Sequence, residues 1–496
     1  MATCLLAACK GGGSNGGADD HDEDDFSGDG DGDTDEPPPL LVGQQTLVTH
    51  GGSTLVTYTP SGAAAVTVPA IAGEIVAYAE LGTSAETVYT WAAAGGYQVL
   101  AKLPATGFYL IGTAAAQTSA TLDALQAQSW VRVAFPNPDV GADLHATCAP
   151  PGVLDAGNQL AGPHPCTAGT RGDLEVAAVD LFKNHRARAE PCVSHGSQVA
   201  CLLGITDQYI EGGPACTVDV DFGTAMNGGT EVGGNTSLLE VQWAIAGLLA
   251  GADLRGHKSV INVSMGPKLT ATCAEACYRR AWTNWMSGIA ALATAGRSVV
   301  GDDFVIVISA GNEGLDMTNE INRVRLLYPT AFENVVIATS MMSTYGKSSF
   351  TNRSTRMDDT MYAYGDGPCC PETGLCPPGT SFAAPQVTNV IAKAYEDAGR
   401  NDLHGSDLVH ALFDAAPIWN ADHKMKPTSA QIIAELPPIG GDDGGPPGGD
   451  PGSSVCCCFF GEDFYWRCYN QASSEPGALC YVPWPECCDQ DYTLCP

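Results

Sequence analysis

The sequence predicts an α/β protein whose largest part is a doubly wound parallel sheet, with a smaller α+β domain before it. Between about residues 139 and 436, apolar runs such as "EVAAVD", "VINVSMG", "FVIVISAG" and "VVIATSM" alternate with helix-like segments such as "VQWAIAGLLAG". Uninterrupted apolar strands are typical of parallel sheets that helices cover on both faces. The 496 residues are enough for several domains.

Charge and cysteine content restrict the function and the location. The chain has 23 Lys and Arg against 56 Asp and Glu, a formal net charge of −33. Such an acidic chain repels phosphate backbones and anionic lipid, so nucleic acid is not expected as a partner. Its 20 cysteines favour disulfides and therefore an extracytoplasmic location. The sequence has no run of 18 apolar residues, so we expect no membrane-spanning helix.

The first nine residues end in "LAAC", which resembles the lipobox of bacterial lipoproteins, with Cys9 as the residue that would be lipidated. No basic segment precedes this short apolar run, so a chance match remains the alternative. We expect a secreted protein or an outer-surface bacterial lipoprotein that meets the membrane only through this anchor.

Two linkers separate the predicted domains. Residues 10–40 are rich in Asp, Gly and Pro and should form a self-repelling spacer. Their "DGDGDTDE" could hold Ca²⁺ loosely, but the glycines and the missing bidentate ligand favour a plain spacer. Residues 437–454 form the second linker. Beyond it, residues 455–496 carry eight cysteines and many aromatic residues, which indicates a small disulfide-rich domain.

Residues 41–138 predict a compact α+β domain. After the β-rich "TLVTHGGSTLVTYTP", the chain has the order strand, helix, strand, strand, helix, strand. These elements are "EIVAYAEL", "SAETVYTWAAAGG", "QVLAKL", "FYLIGTA", "SATLDALQAQ" and "WVRVAF". This β-α-β-β-α-β order is that of a ferredoxin-like domain.

Four residues of the main region supply the groups that a nucleophilic hydroxyl needs. Asp180 ends an apolar strand, and the carboxyl ends of parallel strands are where α/β sheets carry their chemistry. His195 begins the helix "SHGSQVACLLG", and Asn312 follows a strand in "SAGNEG". Ser381 precedes a helical run in "GTSFAAP", so it is either a helix N-cap or a nucleophile. A serine nucleophile needs a base, an acid that orients the base, and donors for the oxyanion.

The motifs "GTSFAAP", "HGSQVA", "SAGNEG" and "INVSMG" resemble those of the subtilisin family of serine peptidases over about residues 139–420. The candidate residues also follow the order of that family, which is Asp, His, Asn, Ser. The resemblance implies a subtilisin-like fold and an endopeptidase that acts on proteins or peptides. It implies no cofactor for the chemistry. Structural Ca²⁺ is common in this family, but the sequence identifies no ligands for it.

The same resemblance implies a role for each candidate residue. Ser381 would be the nucleophile, His195 the general base and Asp180 the orienting acid, while Asn312 and the Ser381 N–H would receive the oxyanion. The peptide-binding cleft and the opposite wall of the S1 pocket would be formed by Ser264, Met265 and Gly266, and by Ser309, Ala310 and Gly311.

The sequence departs from the family pattern at three points. Residues 180–182 read Asp-Leu-Phe where the family has Asp-Ser-Gly or Asp-Thr-Gly, and His195 follows after only 15 positions. Asp180 could therefore be an ordinary carboxylate at a strand end. Asp219 and Asp221 come after the histidine, which is the wrong order, so Asp180 remains the choice. Pro267 replaces a glycine that often follows this strand in the family.

The position and the ending of the α+β domain, "LDALQAQSWVRVAFPN", resemble the I9-type propeptides of subtilisin zymogens. The chain's own propeptide would then be an intramolecular inhibitor, with self-cleavage within about residues 137–145 and a mature enzyme starting near Asp143. A permanent N-terminal domain is the alternative.

Two other functions remain open at this stage. One is a catalytically impaired binding protein on the same scaffold. The other is an adhesion or glycan-binding protein that acts through its Cys-rich domain, although aromatic residues also form the cores of such small domains. Near the candidate catalytic residues we expect disulfides that pin loops, formed by Cys192, Cys201, Cys369, Cys370 and Cys376.

Overall fold

The computed structural model describes thirteen segments of the chain. They are residues 52–60, 64–80, 82–103, 106–141, 174–180, 195–203, 219–221, 236–267, 273–368, 377–420, 423–437, 456–460 and 466–470. The chain divides into two compact units, Met1–Leu436 and Pro437–Pro496.

The described residues form nine α-helices and nineteen strands. The helices are α1 (Ala85–Gly95), α2 (Thr118–Gln126), α3 (His195–Leu203), α4 (Leu238–Arg255), α5 (Glu275–Val300), α6 (Thr318–Leu327), α7 (Thr380–Ala398), α8 (Gly405–Ala415) and α9 (Ser429–Glu435). The strands up to the middle of the chain are β1 (Ser53–Tyr58), β2 (Val66–Ile71), β3 (Glu74–Ala79), β4 (Gln98–Leu103), β5 (Phe108–Gly112), β6 (Val131–Pro136), β7 (Asp139–Gly141), β8 (Leu174–Asp180), β9 (Asp219–Asp221) and β10 (Thr236–Ser237). The remaining strands are β11 (Lys258–Val263), β12 (Gly266–Pro267), β13 (Phe304–Ser309), β14 (Val335–Met341), β15 (Thr360–Tyr364), β16 (Ile418–Asn420), β17 (His423–Lys424), β18 (Cys456–Phe460) and β19 (Trp466–Asn470).

A six-stranded parallel sheet forms the centre of residues 174–436, which we call the main domain. Its strand order is β15-β14-β13-β11-β8-β9, and every neighbouring pair is parallel. Because side chains alternate along a strand, Ile306 and Ile308 of β13 join the core on one face while Val305 and Val307 join the core on the other. The main domain is therefore an α/β sandwich with helices on both faces of its sheet.

Residues 52–138, which we call the N-terminal domain, contain a four-stranded antiparallel sheet of order β4-β5-β3-β6 with the helices α1 and α2. Helix α1 begins after Ser84, whose Oγ accepts a hydrogen bond from the Thr87 N–H. It ends at Gly96, a left-handed residue with φ 72°. Strands β1 and β2 form a separate antiparallel hairpin at the start of this domain.

The N-terminal domain and the main domain share one apolar core. Ile75 and Tyr78 of β3 belong to the same buried cluster as Leu238 of α4 and Trp285 of α5. Gln242, fully buried on α4, donates from Nε2 to the Tyr78 hydroxyl and to the Gly288 carbonyl. The contact between the two domains is therefore packed like a domain interior.

Several expectations lie outside the described residues. These are the linkers at 10–40 and 437–454, the lipobox with Cys9, and the side chains of Cys192, Cys201, Cys369, Cys370 and Cys376. Within the described part, Cys273 and Cys277 form a disulfide beside the start of α5. In the second unit, the structure describes the antiparallel hairpin of β18 and β19. No described helix has the length and apolar character needed to cross a membrane.

Candidate active site

Asp180 and His195 form a buried hydrogen-bonded pair. Asp180 is the last residue of β8 and His195 the first of α3, and they are 0% and 4% exposed. His195 Nδ1 lies 2.8 Å from Asp180 Oδ1 and 3.0 Å from Oδ2. Since a buried carboxylate accepts hydrogen bonds, it fixes the Nδ1–H tautomer and leaves Nε2 as the acceptor of the ring.

Ser381 is the second residue of α7, and Gly379 occupies the N-cap position. The interpretation of Ser381 as a helix cap is therefore wrong, because the helix already begins at Thr380. The Ser381 hydroxyl donates a long 3.4 Å hydrogen bond to the Ser264 carbonyl, and Ser264 Oγ donates to the Ser381 carbonyl at 2.8 Å. These contacts join the end of β11 to the start of α7.

The first turns of α3 and α7 meet at this point. The rings of His195 and Phe382, the residue after Ser381, are 5.2 Å apart between centroids. His195 Nε2 is buried and has no hydrogen-bond partner among the described residues. The His195 ring thus lies beside the first turn of α7, which carries Ser381. Hydrogen bonds between base and nucleophile are often long before substrate binds.

Thr380 connects Asn312 to the start of α7, a role that sequence reasoning missed. Asn312 Oδ1 accepts from the Thr380 N–H at 2.9 Å and from Thr380 Oγ1 at 3.0 Å. Thr380 Oγ1 also accepts from the Gly311 N–H at 3.1 Å. These hydrogen bonds fix the orientation of the Asn312 amide. Threonine in "GTSFAAP" was visible in the sequence, but its partners lie 68 and 69 positions away.

A second residue to which the motifs did not point, Asn352, holds the segment of Ala310 and Gly311 in place by hydrogen bonds. Its Nδ2 donates to the Ala310 carbonyl at 3.0 Å and to the Tyr278 hydroxyl at 2.7 Å, and its backbone N–H donates to the Gly311 carbonyl at 2.9 Å. Gly311 has φ +96°, and a Cβ there would lie 2.2 Å from Tyr278 Oη. Glycine is required for both conformation and space.

The predicted cleft residues follow two neighbouring strands of the sheet. Ser264 and Met265 come after β11 and are buried, and Ser309 and Ala310 stand at the end of β13. Gly266 begins β12, which pairs antiparallel with β7.

Strand β7, which we call the tail strand, lies between two short strands of the main domain. It pairs antiparallel with β10 on one side and with β12 on the other. Gly266 is opposite Gly141, and Pro267 is opposite Val140, which is fully buried. Pro267 therefore lies within this pairing. A short extended segment is held here by main-chain pairing on both edges.

The other acids considered, Asp219 and Asp221, lie on the edge strand β9, and Asp221 is the register partner of Asp180. The hydrogen bond described above joins Asp180 to His195. In the described part of the chain, no group of three or more His, Cys, Asp or Glu residues could hold a metal ion.

A comparison with protein-family models agrees with this fold. Residues 170–432 match the model of the subtilase family, peptidase family S8. A search of curated proteins found no match.

Among solved structures, the chain is similar to the epidermin leader peptide processing serine protease EpiP from Staphylococcus aureus, at 12% identity and a TM-score of 0.46 over 74% of this chain and 99% of that one. It is also similar to the nisin leader peptidase NisP from Lactococcus lactis, at 17% identity and a TM-score of 0.34 over 54% and 88% of the two chains. A cold-adapted subtilisin-like serine proteinase matches at 18% identity and a TM-score of 0.32 over 53% and 91%.

The family match spans just over half of the 496 residues and includes all of Asp180, His195, Asn312 and Ser381. The chain belongs to the subtilase family and is a serine-type endopeptidase.

Proposed function

We propose that this endopeptidase cleaves peptide bonds with Ser381 as nucleophile, His195 as general base and Asp180 as orienting acid. The observation that carries the proposal is the buried pair of Asp180 and His195 beside the first turn of α7. His195 Nε2 takes the proton of Ser381 Oγ as that oxygen attacks the substrate carbonyl carbon. His195 then gives the proton to the leaving amine, and an acyl-enzyme on Ser381 is hydrolysed by water in the reverse sequence.

The oxyanion of the tetrahedral intermediate would be bound by Asn312 Nδ2 and the Ser381 N–H. The two hydrogen bonds from Thr380 to Asn312 Oδ1 support this role, because they orient the amide before substrate arrives. The early position of Ser381 in α7 supports it as well, since the N-terminus of a helix carries partial positive charge.

Substrates would bind as an extended strand in the place of the tail strand, between β10 and β12. The antiparallel pairing of Gly266 with Gly141 supports this role for the 264–266 segment. The 309–311 segment would form the opposite wall of the S1 pocket. Because main-chain pairing recognises any sequence, protein or peptide substrates are the expected class.

Residues 41–138 would be a ferredoxin-like propeptide that inhibits the enzyme in the same chain. The strand order β4-β5-β3-β6 with two helices supports this assignment, because it is the arrangement that a β-α-β-β-α-β chain makes in that fold. The tail strand would continue from this domain into the cleft and block it like a product.

The cellular setting belongs to the same proposal. The 20 cysteines support an extracytoplasmic enzyme, either secreted or held at the surface through a lipid on Cys9. The catalytic steps above need no cofactor. The Cys-rich end would be a small disulfide-rich domain.

Replacing Thr380 with valine should lower kcat about tenfold with little change in KM, because Asn312 would lose a hydroxyl that orients its amide for the transition state. Thr380→Ser keeps the hydroxyl and is the matched control, expected to retain most of the activity. Steady-state kinetics on a peptide substrate measure both values. A loss in Thr380→Ser with none in Thr380→Val would mean that the methyl packing, not the hydrogen bond, is what matters.

Self-processing tests the proposed function as a whole. Wild-type protein should be cut within residues 137–145, leaving a soluble mature enzyme that starts near Asp143 and a lipidated, membrane-bound N-terminal fragment. The Ser381→Ala protein should remain full-length and membrane-associated. Intact-mass analysis of both proteins after membrane fractionation makes the comparison. Wild type that stays in one piece, or Ser381→Ala protein cut at the same rate, would refute self-cleavage.

A further inference from the structure

The hairpin of β1 and β2 lies outside the four-stranded sheet of the N-terminal domain, and the end of β1 alternates between buried and exposed side chains. Tyr58 of β1 is the register partner of Val66 of β2, and Val68 lies two positions further along β2. All three side chains pack into the shared core. On the opposite face, the Thr57 and Thr67 hydroxyls are hydrogen-bonded to each other at 2.7 Å in an exposed position, and Leu55 is 46% exposed. A two-stranded hairpin is marginal by itself, so its buried face needs a partner surface.

Part of that surface is helix α5 of the main domain, against which β2 packs, while β1 also contacts α2 of its own domain. Tyr58 is 3% exposed, and its hydroxyl accepts a 3.2 Å hydrogen bond from Nδ2 of Asn284, which is 5% exposed. Burial raises the pKa of the Tyr58 hydroxyl, in agreement with its place inside this contact. A buried aromatic side chain whose polar group is hydrogen-bonded is typical of the residues that contribute most of the binding energy of an interface.

The hairpin also touches the segment that leads into the cleft. The Ile71 N–H donates to the Asn137 carbonyl at 2.9 Å. Asn137 is fully buried, and its Nδ2 donates to Glu74 Oε2 at 2.8 Å. Asn137 stands two positions before the tail strand. The hairpin therefore connects α5 to the base of the tail strand.

We propose that the hairpin of β1 and β2 is an additional anchor, beside the tail strand and the shared core of β3, that keeps the N-terminal domain bound to α5 after the chain is cut. This inference rests on the proposed function. Two linked contacts bind far more tightly than either alone, because release of one leaves the other in place. The hairpin thereby lengthens the delay between self-cleavage and activity, because it must separate from α5, together with the shared core, before the N-terminal domain leaves.

The test follows the full chain through three measurements over time. Intact mass reports cleavage, size-exclusion chromatography reports the bound N-terminal fragment, and a peptide substrate reports activity. Tyr58→Ala should be cut at the wild-type rate, yet release its fragment about tenfold faster and become active correspondingly sooner. Asn284→Ala disturbs the same contact from the main domain and should shorten the delay in the same direction by a smaller factor. Leu55→Ala, which shortens an exposed side chain of β1, is the matched control and should behave as wild type.

The outcomes separate this proposal from the one on which it rests. Wild type that is never cut would overturn the proposed function and the anchor together. Wild type that is cut but releases its fragment at once would overturn the anchor alone. The anchor is also overturned if Tyr58→Ala and Asn284→Ala are cut but release the fragment as slowly as wild type, or if Leu55→Ala releases it as fast as Tyr58→Ala. Should Tyr58→Ala fail to fold, Tyr58→Phe replaces it, with a delay shortened as in Asn284→Ala.

Discussion

Ser381→Ala and His195→Ala should each lower kcat for peptide hydrolysis by about 10⁶-fold, because nucleophile and base act as one unit and the loss of either stops acyl-enzyme formation. Since these variants cannot cut their own chain, they would be cleaved in trans by wild type and repurified before assay. Ser287→Ala is a suitable control. This buried serine donates its hydroxyl to the Thr283 carbonyl within α5, so its removal should leave kcat nearly unchanged.

The double variant of Ser381 and His195 tests whether the two side chains act in the same step. The Ser381→Ala, His195→Ala double variant should be no slower than either single variant, because the second substitution removes a group that has already lost its role. Near-wild-type rates in either single variant would refute the assigned pair. Independent, multiplying losses would mean that the two side chains do not act on the same step.

Asp180→Asn should lower kcat by about 10⁴-fold while leaving the geometry in place, because an amide can stabilise the wrong tautomer of His195 and cannot stabilise the imidazolium. The effect depends on the 2.8 Å hydrogen bond between His195 Nδ1 and Asp180 Oδ1. Asp221→Asn on the neighbouring strand is the matched control and should keep most of its activity. Kinetics on both purified variants would decide which acid is used. A full loss in Asp221→Asn with an active Asp180→Asn would reverse the assignment.

The sequence predicted the elements of the main domain well because its strands are buried on both faces. Continuous apolar runs such as "FVIVIS" and "VVIATSM" are typical of central strands in a parallel sheet, and in the structure they form β13 and β14. The first helix was equally clear, since Ser84 and Gly96 occupy the cap positions that their chemistry favours.

The first residue of α7 could not be predicted from the local sequence. A serine before an apolar helical run suggests an N-cap, yet Gly379 takes that position and Thr380 already belongs to the helix. The reason is long-range: Thr380 is hydrogen-bonded to Asn312, which the sequence separates from it by 68 positions. Cap rules take account only of neighbouring residues and could not include this contact.

The residues of the candidate site also differ in how well the sequence identifies them. Short motifs located His195, Asn312 and Ser381, but the residues after Asp180 gave no such support. Its hydrogen bond to His195 depends on how α3 packs against β8, which is a tertiary contact. The role of β1 and β2 was hidden for the same reason, because a β-rich segment does not reveal which helix its apolar face will meet.

Labelling with a fluorophosphonate probe is the most direct test of the central claim that this chain is a serine endopeptidase acting through Ser381. The probe forms a stable adduct only with a serine whose hydroxyl is activated by a base. We predict one adduct on processed wild-type protein, mapped by peptide mass to Ser381, and no adduct on repurified His195→Ala protein. Processed wild type that is not labelled, or an adduct on a serine other than Ser381, would contradict the account.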